Sequence, residues 1–315
     1  LFLNSRQRLY CAFVDYKKAF DSVDRCALWQ KVIGSHINGK ILNVVRNLYD
    51  KAKSCVKINS KVSGFFDCKI GVRQGENLSP LLFAIFLNDL NDHISKDYSG
   101  LPSVTNIGHD CFDNEDIEVI FKLFLLLYAD DTVIFAESAA ELQKALNSMS
   151  DYCKTWKLSI NIDKTKIMIF SRGMVKNVPK FIYNNEELQV VHDFKYLGIV
   201  FNYNGKFSKA KRRLIDQARK AMFSVLRKSR SLELPIDMQL HLFDSMVVPI
   251  LTYGAEVWGY EDDNIIESLH LEFCRMLLCC SKSTTKNMIY GELGRFPISI
   301  TVKERILNFW GKLVS

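Results

Sequence analysis

The sequence predicts an α+β fold: a split β-α-β antiparallel sheet with helices on one side, followed by a helical C-terminal region. Three observations carry that prediction. Leu9 to Val14 is a short apolar, β-leaning run that ends on Asp15. Leu123 to Phe135 joins two apolar runs through the adjacent carboxylates Asp130 and Asp131; each run is too short for a membrane span and too continuously apolar for a half-solvated strand. Stretches of helical periodicity lie around these strands, and from Ser208 onward the periodicity is helical alone.

Taken in order, the first strand leads through a turn, Tyr16 to Asp21, into a helix that starts near Ser22 or Asp24, both good caps, with Leu28, Val32 and Ile33 as its apolar stripe. A second helix, Lys40 to Tyr49, carries Ile41, Val44, Val45 and Leu48 at helical spacing. Strand-like Val56 to Asn59 and Gly64 to Ile70 precede the turn Gly71 to Pro80, and a helix follows from Leu81 to Ile94. Gly71 and Gly75 in that turn let backbone approach something closely just before a helix entrance, a place that favours anions. Ser95 to Glu118 is expected to be an irregular insertion loop, with His109, Asp110, Asp113 and Asp116 a surface feature rather than a metal cluster.

After the hairpin, Ala139 to Trp156 is an amphipathic helix, and Leu158 to Phe170 is a strand region. Phe181 to Val191, turning at Asn184-Asn185, and Phe194 to Phe207, turning at Asn204-Gly205, are hairpin material. A boundary is expected near Gly205, giving domains 1–205 and 206–315. Beyond it Leu214, Ile215, Ala218, Met222, Val225 and Leu226 form an apolar stripe opposite a basic face, and later helices cover Ile236 to Val247, Ile265 to Cys280 and Val302 to Leu313.

A chain of 315 residues that is 48% hydrophobic can build one large or two moderate cores. Its net charge of +7 is concentrated: Lys206 to Arg230 holds ten basic residues against the single acid Asp216, a solubilising face or, as the sharper reading, a surface for a polyanionic partner. Nine scattered cysteines without a Cys-x-x-Cys pair read as reduced intracellular thiols, and no run of about 20 apolar residues suggests a membrane. Right-handed crossovers would set the first strand beside the hairpin, so that Asp15 ends near Asp130. Adjacent like charges on a buried hairpin are costly without a compensating cation, and three converging carboxylates are natural ligands for two Mg²⁺ ions.

These stretches together resemble the reverse transcriptases of non-LTR retrotransposons. Phe-Val-Asp-Tyr-Lys-Lys-Ala-Phe-Asp at 13–21 resembles their motif A, Gly-Val-Arg-Gln-Gly with Ser-Pro at 71–80 motif B, Tyr-Ala-Asp-Asp at 128–131 motif C, Asn161 to Lys166 motif D, and Lys195-Tyr196-Leu197-Gly198 the primer grip. Leu251 to Trp258 and Glu292 to Pro297 are similar to stretches of such elements as well. The resemblance implies a right-hand polymerase palm followed by a helical thumb. It also implies an RNA-directed DNA polymerase that joins dNTPs to a DNA primer on an RNA template, acting in nucleus and cytoplasm.

By that resemblance Asp15 and Asp130 bridge two Mg²⁺ ions with Asp131 assisting, and the Tyr16 backbone adds a ligand. Phe20 is the steric gate against a 2′-hydroxyl, with core packing as its alternative. Arg73, Gln74 and Gly75 contact substrate and template, Lys164, with Lys166 as rival, protonates pyrophosphate, and Tyr196, Leu197 and Gly198 hold the primer. Lys211, Arg212, Arg213, Arg219 and Lys220 are the expected nucleic-acid contacts on the basic helix. A decayed copy that only binds nucleic acid, and a group II intron maturase or telomerase-type polymerase, remain alternatives. Basic residues expected upstream of motif A are missing, so the chain is expected to be a fragment that extends primers poorly by itself.

Overall fold

A computed structural model describes residues 7–73, 75–96, 101–104, 120–123, 125–128, 131–260 and 264–314. The chain divides into two compact units, 1–194 with 203–205, and 195–202 with 206–315.

The first unit is organised around a six-stranded sheet. Across it lie Phe181–Tyr183, Glu186–Val191, Lys166–Phe170, Leu9–Val14, Asp131–Ala136 and Leu125–Tyr128. Every pairing is antiparallel except that of Lys166–Phe170 with Glu186–Val191. The strand Leu9–Val14 therefore sits between the hairpin and the strand after the long helix, as a split β-α-β arrangement requires. Its side chains alternate: Tyr10, Ala12 and Val14 join the main core, while Cys11 and Phe13 are buried on the other face, with the Phe13 ring stacked on Phe194 at 4.4 Å. Burial on both faces is the reason this strand reads as an unbroken apolar run.

The core is completed by helices Arg25–Gly34, Leu78–Phe86 and Ala139–Trp156 through Leu28, Val32, Phe83, Phe86, Leu142, Met149 and Tyr152. Asp24 caps the first of these, accepting from the Ala27 amide at 3.1 Å, and Ser138 caps the last, accepting from the Glu141 amide at 3.2 Å. A salt bridge between buried Lys31 and the half-exposed Asp89 side chain lies at their edge, with the ammonium 3.7 Å from the Trp156 ring centroid.

Several local expectations are corrected. The helix Gly39–Asp50 forms, but it buries Leu42 and Tyr49 and leaves Ile41, Val44 and Leu48 in solvent; Ile33 is exposed as well. The helix expected from Leu81 to Ile94 is two helices, Leu78–Phe86 and Leu90–Ile94. Part of the expected insertion loop is a strand, Leu101–Val104, paired with Ile120–Leu123; His109, Asp110, Asp113 and Asp116 lie outside the described residues.

In the second unit the helix Ser208–Ser231 buries Leu214, Ile215, Ala218, Met222, Val225 and Leu226 against Phe243, Leu251, Leu269 and Phe273. The hairpin before it turns at Leu197-Gly198, not at Asn204-Gly205, because Leu197 and Gly198 hold the left-handed backbone, at φ 46° and 86°. Among the described residues no helix is long and apolar enough to cross a membrane.

Candidate active site

Asp15 follows the last residue of the central strand, where Val14 pairs with Thr132. One further step in that register sets Asp15 beside Asp131, the first residue of the neighbouring strand. Strand alternation assigns both to one face. Val14, Ile134 and Ala136 enter the core on the helix side, so Asp15 and Asp131 belong with Phe13 and Val133 on the opposite face. The Asp15 side chain keeps 33% of its surface in solvent, and Asp131 is half-buried. Asp130 lies outside the described residues.

The loop after the long helix is tied to this strand end. The Asn161 amide donates to the Asp15 carbonyl at 2.7 Å, the Lys17 amide to the Ser159 carbonyl at 2.7 Å, and the Asp15 amide to the Thr165 hydroxyl at 3.1 Å. This bridge aligns Tyr16 with Ile160 and uses the backbone of residues 15 and 17, so the Tyr16 carbonyl is not spent on it. The Tyr16 ring is buried edge-on to Phe83, and burial pushes its phenol far above the usual tyrosine range. Residues 161–165 close a turn through the Thr165 amide and Asn161 carbonyl, at 2.8 Å, and that turn brings the Lys164 ammonium to 3.7 Å from the Asp15 carboxylate. Lys166, its rival, lies one step inside the sheet opposite Phe13. Geometry separates the two lysines: only Lys164 reaches Asp15.

The glycine-containing turn docks on the segment after Asp15. The Val72 amide donates to the Phe20 carbonyl at 2.7 Å and the Gly71 amide to the Val23 carbonyl at 2.9 Å. Gly71 has φ +80°, and a Cβ there would stand 2.7 Å from the Asp21 carbonyl oxygen, so no other residue fits without displacing the turn. Phe20 is half-buried with its ring centroid 5.1 Å from that of Phe83, which leaves one part of the ring in the core and another toward solvent. Arg73 is held back: its guanidinium donates to Glu76 at 2.5 Å and to the Leu48 carbonyl at 3.2 Å, and the Glu76 bond foremost raises its pKa. Gly75 is exposed with φ +84°, and Gln74 lies outside the described residues.

Arg25 organises this turn, and the motif reading missed it. Buried at the first turn of its helix, it donates Nε to the Gly71 carbonyl at 2.9 Å and Nη1 to the Tyr49 carbonyl at 2.8 Å. One signal was present: a cation opening a helix is opposed by the helix dipole unless it is used elsewhere.

In the second unit the tip formed by Tyr196, Leu197 and Gly198 is gripped from within. The Tyr253 hydroxyl donates to the Leu197 carbonyl at 2.9 Å, and a Cβ on Gly198 would meet the Tyr253 ring at 2.8 Å. Of the basic helix, Arg212, Arg213 and Lys220 are exposed, whereas Arg219 pairs with Glu272 at 3.1 Å. Lys211 is corrected: it is 1% exposed, with its ammonium 5.5 Å from the Trp258 ring centroid. Position 211 precedes Leu214 and Ile215 by three and four residues and so continues the apolar stripe rather than the basic face.

The family described as "Reverse transcriptase (RNA-dependent DNA polymerase)" matches residues 2–201. The RNA-directed DNA polymerase from mobile element jockey of Drosophila funebris is 23% identical over 286 residues, 87% of this chain and 28% of that protein. The probable RNA-directed DNA polymerase from transposon X-element of Drosophila melanogaster is 23% identical over 300 residues, covering 90% of this chain and 30% of that protein. The Pol polyprotein from retrotransposable element R2 of Popillia japonica is 21% identical, over 78% of this chain and 38% of its own length. The chain thus spans between about a quarter and two-fifths of these relatives. A telomerase from Candida albicans, solved with a fragment of telomeric RNA, aligns over 90% of this chain and 48% of that one with a TM-score of 0.47 and 12% identity. With the family pattern covering 200 of 315 residues, including the strand that leads into Asp15 and the hairpin of Asp131, this chain belongs to the reverse transcriptase (RNA-dependent DNA polymerase) family.

Proposed function

We propose that this chain is the polymerising part of a non-LTR retrotransposon reverse transcriptase, extending a DNA primer with dNTPs on an RNA template. The observation that carries the reading is the placement of Asp15 and Asp131 side by side on one sheet face, with Lys164 3.7 Å from the Asp15 carboxylate. Two neighbouring carboxylates and the Tyr16 backbone carbonyl are hard oxygen donors, the set that Mg²⁺ takes. Among the described residues no group of three ligating side chains occurs; Asp130, the third by sequence, is outside them. Asp15, Asp130, Asp131 and the Tyr16 carbonyl would hold two Mg²⁺ ions, which would lower the pKa of a primer hydroxyl and offset charge on a triphosphate.

The chain's own groups supply the rest. Lys164, on a loop tied to the Asp15 backbone, stands where it can give a proton to departing pyrophosphate. Phe20, half-buried on the segment where the turn docks, is a bulk able to reject a 2′-hydroxyl. Arg212, Arg213 and Lys220 offer exposed cations to phosphates. The 206–315 region acts as the thumb, and Tyr196, Leu197 and Gly198 as the primer grip.

The test is primer extension on an RNA template by the complete open reading frame, with Asp15→Asn, Asp130→Asn and Asp131→Asn. Each change removes charge and almost no volume, so extension should vanish while thermal stability stays put. Near-normal extension by the Asp15 or Asp130 variant would sink the assignment.

A further inference from the structure

Residues 53–67 form a two-stranded arm. Lys53–Ser54 pairs with Phe66–Asp67, Lys57–Ile58 pairs with Lys61–Val62, and between them the Ser63 amide donates to the Val56 carbonyl at 2.9 Å. Apart from half-buried Ser54, every residue of the arm is exposed, including Val56, Ile58, Val62, Phe65 and Phe66, with Phe65 at 72%. A lone hairpin is marginal in water, and this one presents aromatic and branched side chains instead of burying them. It is also basic: Lys53, Lys57 and Lys61 face one acid, Asp67, which lies opposite Lys53 at the base. Lysines and apolar groups alternate on both faces, since Ile58 is paired with Lys61 and Val62 with Lys57.

The base of the arm is fixed to the candidate site. The Cys68 amide donates to the Ala52 carbonyl at 3.1 Å, and two residues later the chain enters the Ile70-Gly71 corner that Arg25 holds and that docks on Phe20 and Val23. An occupant of the arm is therefore one that continues from the Phe20 turn. Exposed aromatics interleaved with lysines suit a single-stranded nucleic acid, whose bases stack on rings and whose phosphates meet ammonium groups. An apolar protein surface would leave the lysines to be desolvated without counter-charge.

We propose that the 53–67 arm binds the unpaired strand adjoining the site, stacking bases on Phe65 and Phe66 and meeting phosphates with Lys57 and Lys61. The proposal rests on the polymerase reading above and names the surface that handles its template.

The experiment uses the full 315-residue chain and three fluorescent probes, a 20-nucleotide single-stranded RNA, the same sequence as DNA, and an RNA–DNA duplex, titrated by anisotropy across a KCl series. Lys57→Gln with Lys61→Gln should lower the slope of log affinity against log salt for both single strands by about 1.4, at about 0.7 per phosphate contact. Phe65→Ser with Phe66→Ser should weaken single-strand binding about tenfold or more with the slope unchanged, and leave the duplex alone. A photoreactive 4-thiouridine in the RNA should crosslink to the 53–69 segment of the unaltered chain, a readout independent of any variant. Unchanged affinity in both arm variants, or equal losses on the duplex, would overturn the arm. If binding instead falls on replacing Arg212, Arg213 and Lys220 while the arm variants bind normally, only the arm proposal fails; a chain that binds none of the probes removes the polymerase reading with it.

Discussion

Replacing Arg25 with Met tests how the glycine-containing turn is held against the Phe20 segment. The guanidinium makes two short bonds, to the Gly71 carbonyl at 2.9 Å and the Tyr49 carbonyl at 2.8 Å, and lies 5.2 Å from the Tyr49 ring centroid. A buried hydrogen bond from a charged donor contributes roughly 1.5–3 kcal/mol, so losing both costs about 3 kcal/mol even at the low end. Part of that loss falls on global stability; the part acting on the turn frees the Gly71 and Val72 amides, which donate to Val23 and Phe20. At about 1.4 kcal/mol per factor of ten, the full 3 kcal/mol would raise local opening roughly 100-fold, and the share that acts on the turn sets how much of this is seen. Hydrogen exchange followed by mass spectrometry on a peptide containing residues 70–73 reads this directly. Arg25→Lys, a point charge that can satisfy one carbonyl but not two, should fall between. Unchanged exchange at Gly71 and Val72 in Arg25→Met would show that the turn is held by its own amide bonds and its glycine, and that the guanidinium is a bystander.

Phe20→Val should admit ribonucleotides in primer extension by the complete reading frame, and an unchanged ratio of ribonucleotide to deoxyribonucleotide incorporation in an active variant would return Phe20 to core packing on Phe83. Gly254→Ala should destabilise the second unit by at least about 1–2 kcal/mol, because the residue has φ +67° and its new Cβ would collide with Ile199 Cδ1. Ile199→Val, which removes that carbon, should recover part of the loss, and thermal melts that show no recovery would place the strain in the backbone alone. The Lys157 hydrogen bond, and then the Ala27 amide, hold the Asp24 carboxyl below its ordinary value. Its contribution is therefore full above about pH 4 and lost as pH falls through the lowered folded value. Asp24→Asn should cost stability at pH 7 and match the unaltered chain at the acid end; a difference in urea midpoint that persists unchanged to the acid end would refute the coupling.

Local pattern carried the central strand, a cap at Ser22 or Asp24, the long helices and the meeting of Asp15 with the hairpin; the structure chose Asp24 and added Ser138. These rest on local information: alternation, periodicity, cap chemistry and the handedness of crossovers, all of which act within a few residues or follow from chain chirality. Tertiary structure alone decided which residues those elements present to what. The helical spacing of Ile41, Val44 and Leu48 is real, yet periodicity says only that a face exists; the neighbours buried Leu42 and Tyr49 instead. The proximity of Lys164, rather than Lys166, to Asp15 follows from the hydrogen bonds that fold residues 161–165 onto that strand end. The hairpin turns at Leu197-Gly198 where Tyr253, more than fifty residues later, closes over the tip, and Arg25 acts on carbonyls at positions 49 and 71. Such contacts join residues distant in sequence, and their energy depends on what else is buried beside them, which no local pattern carries.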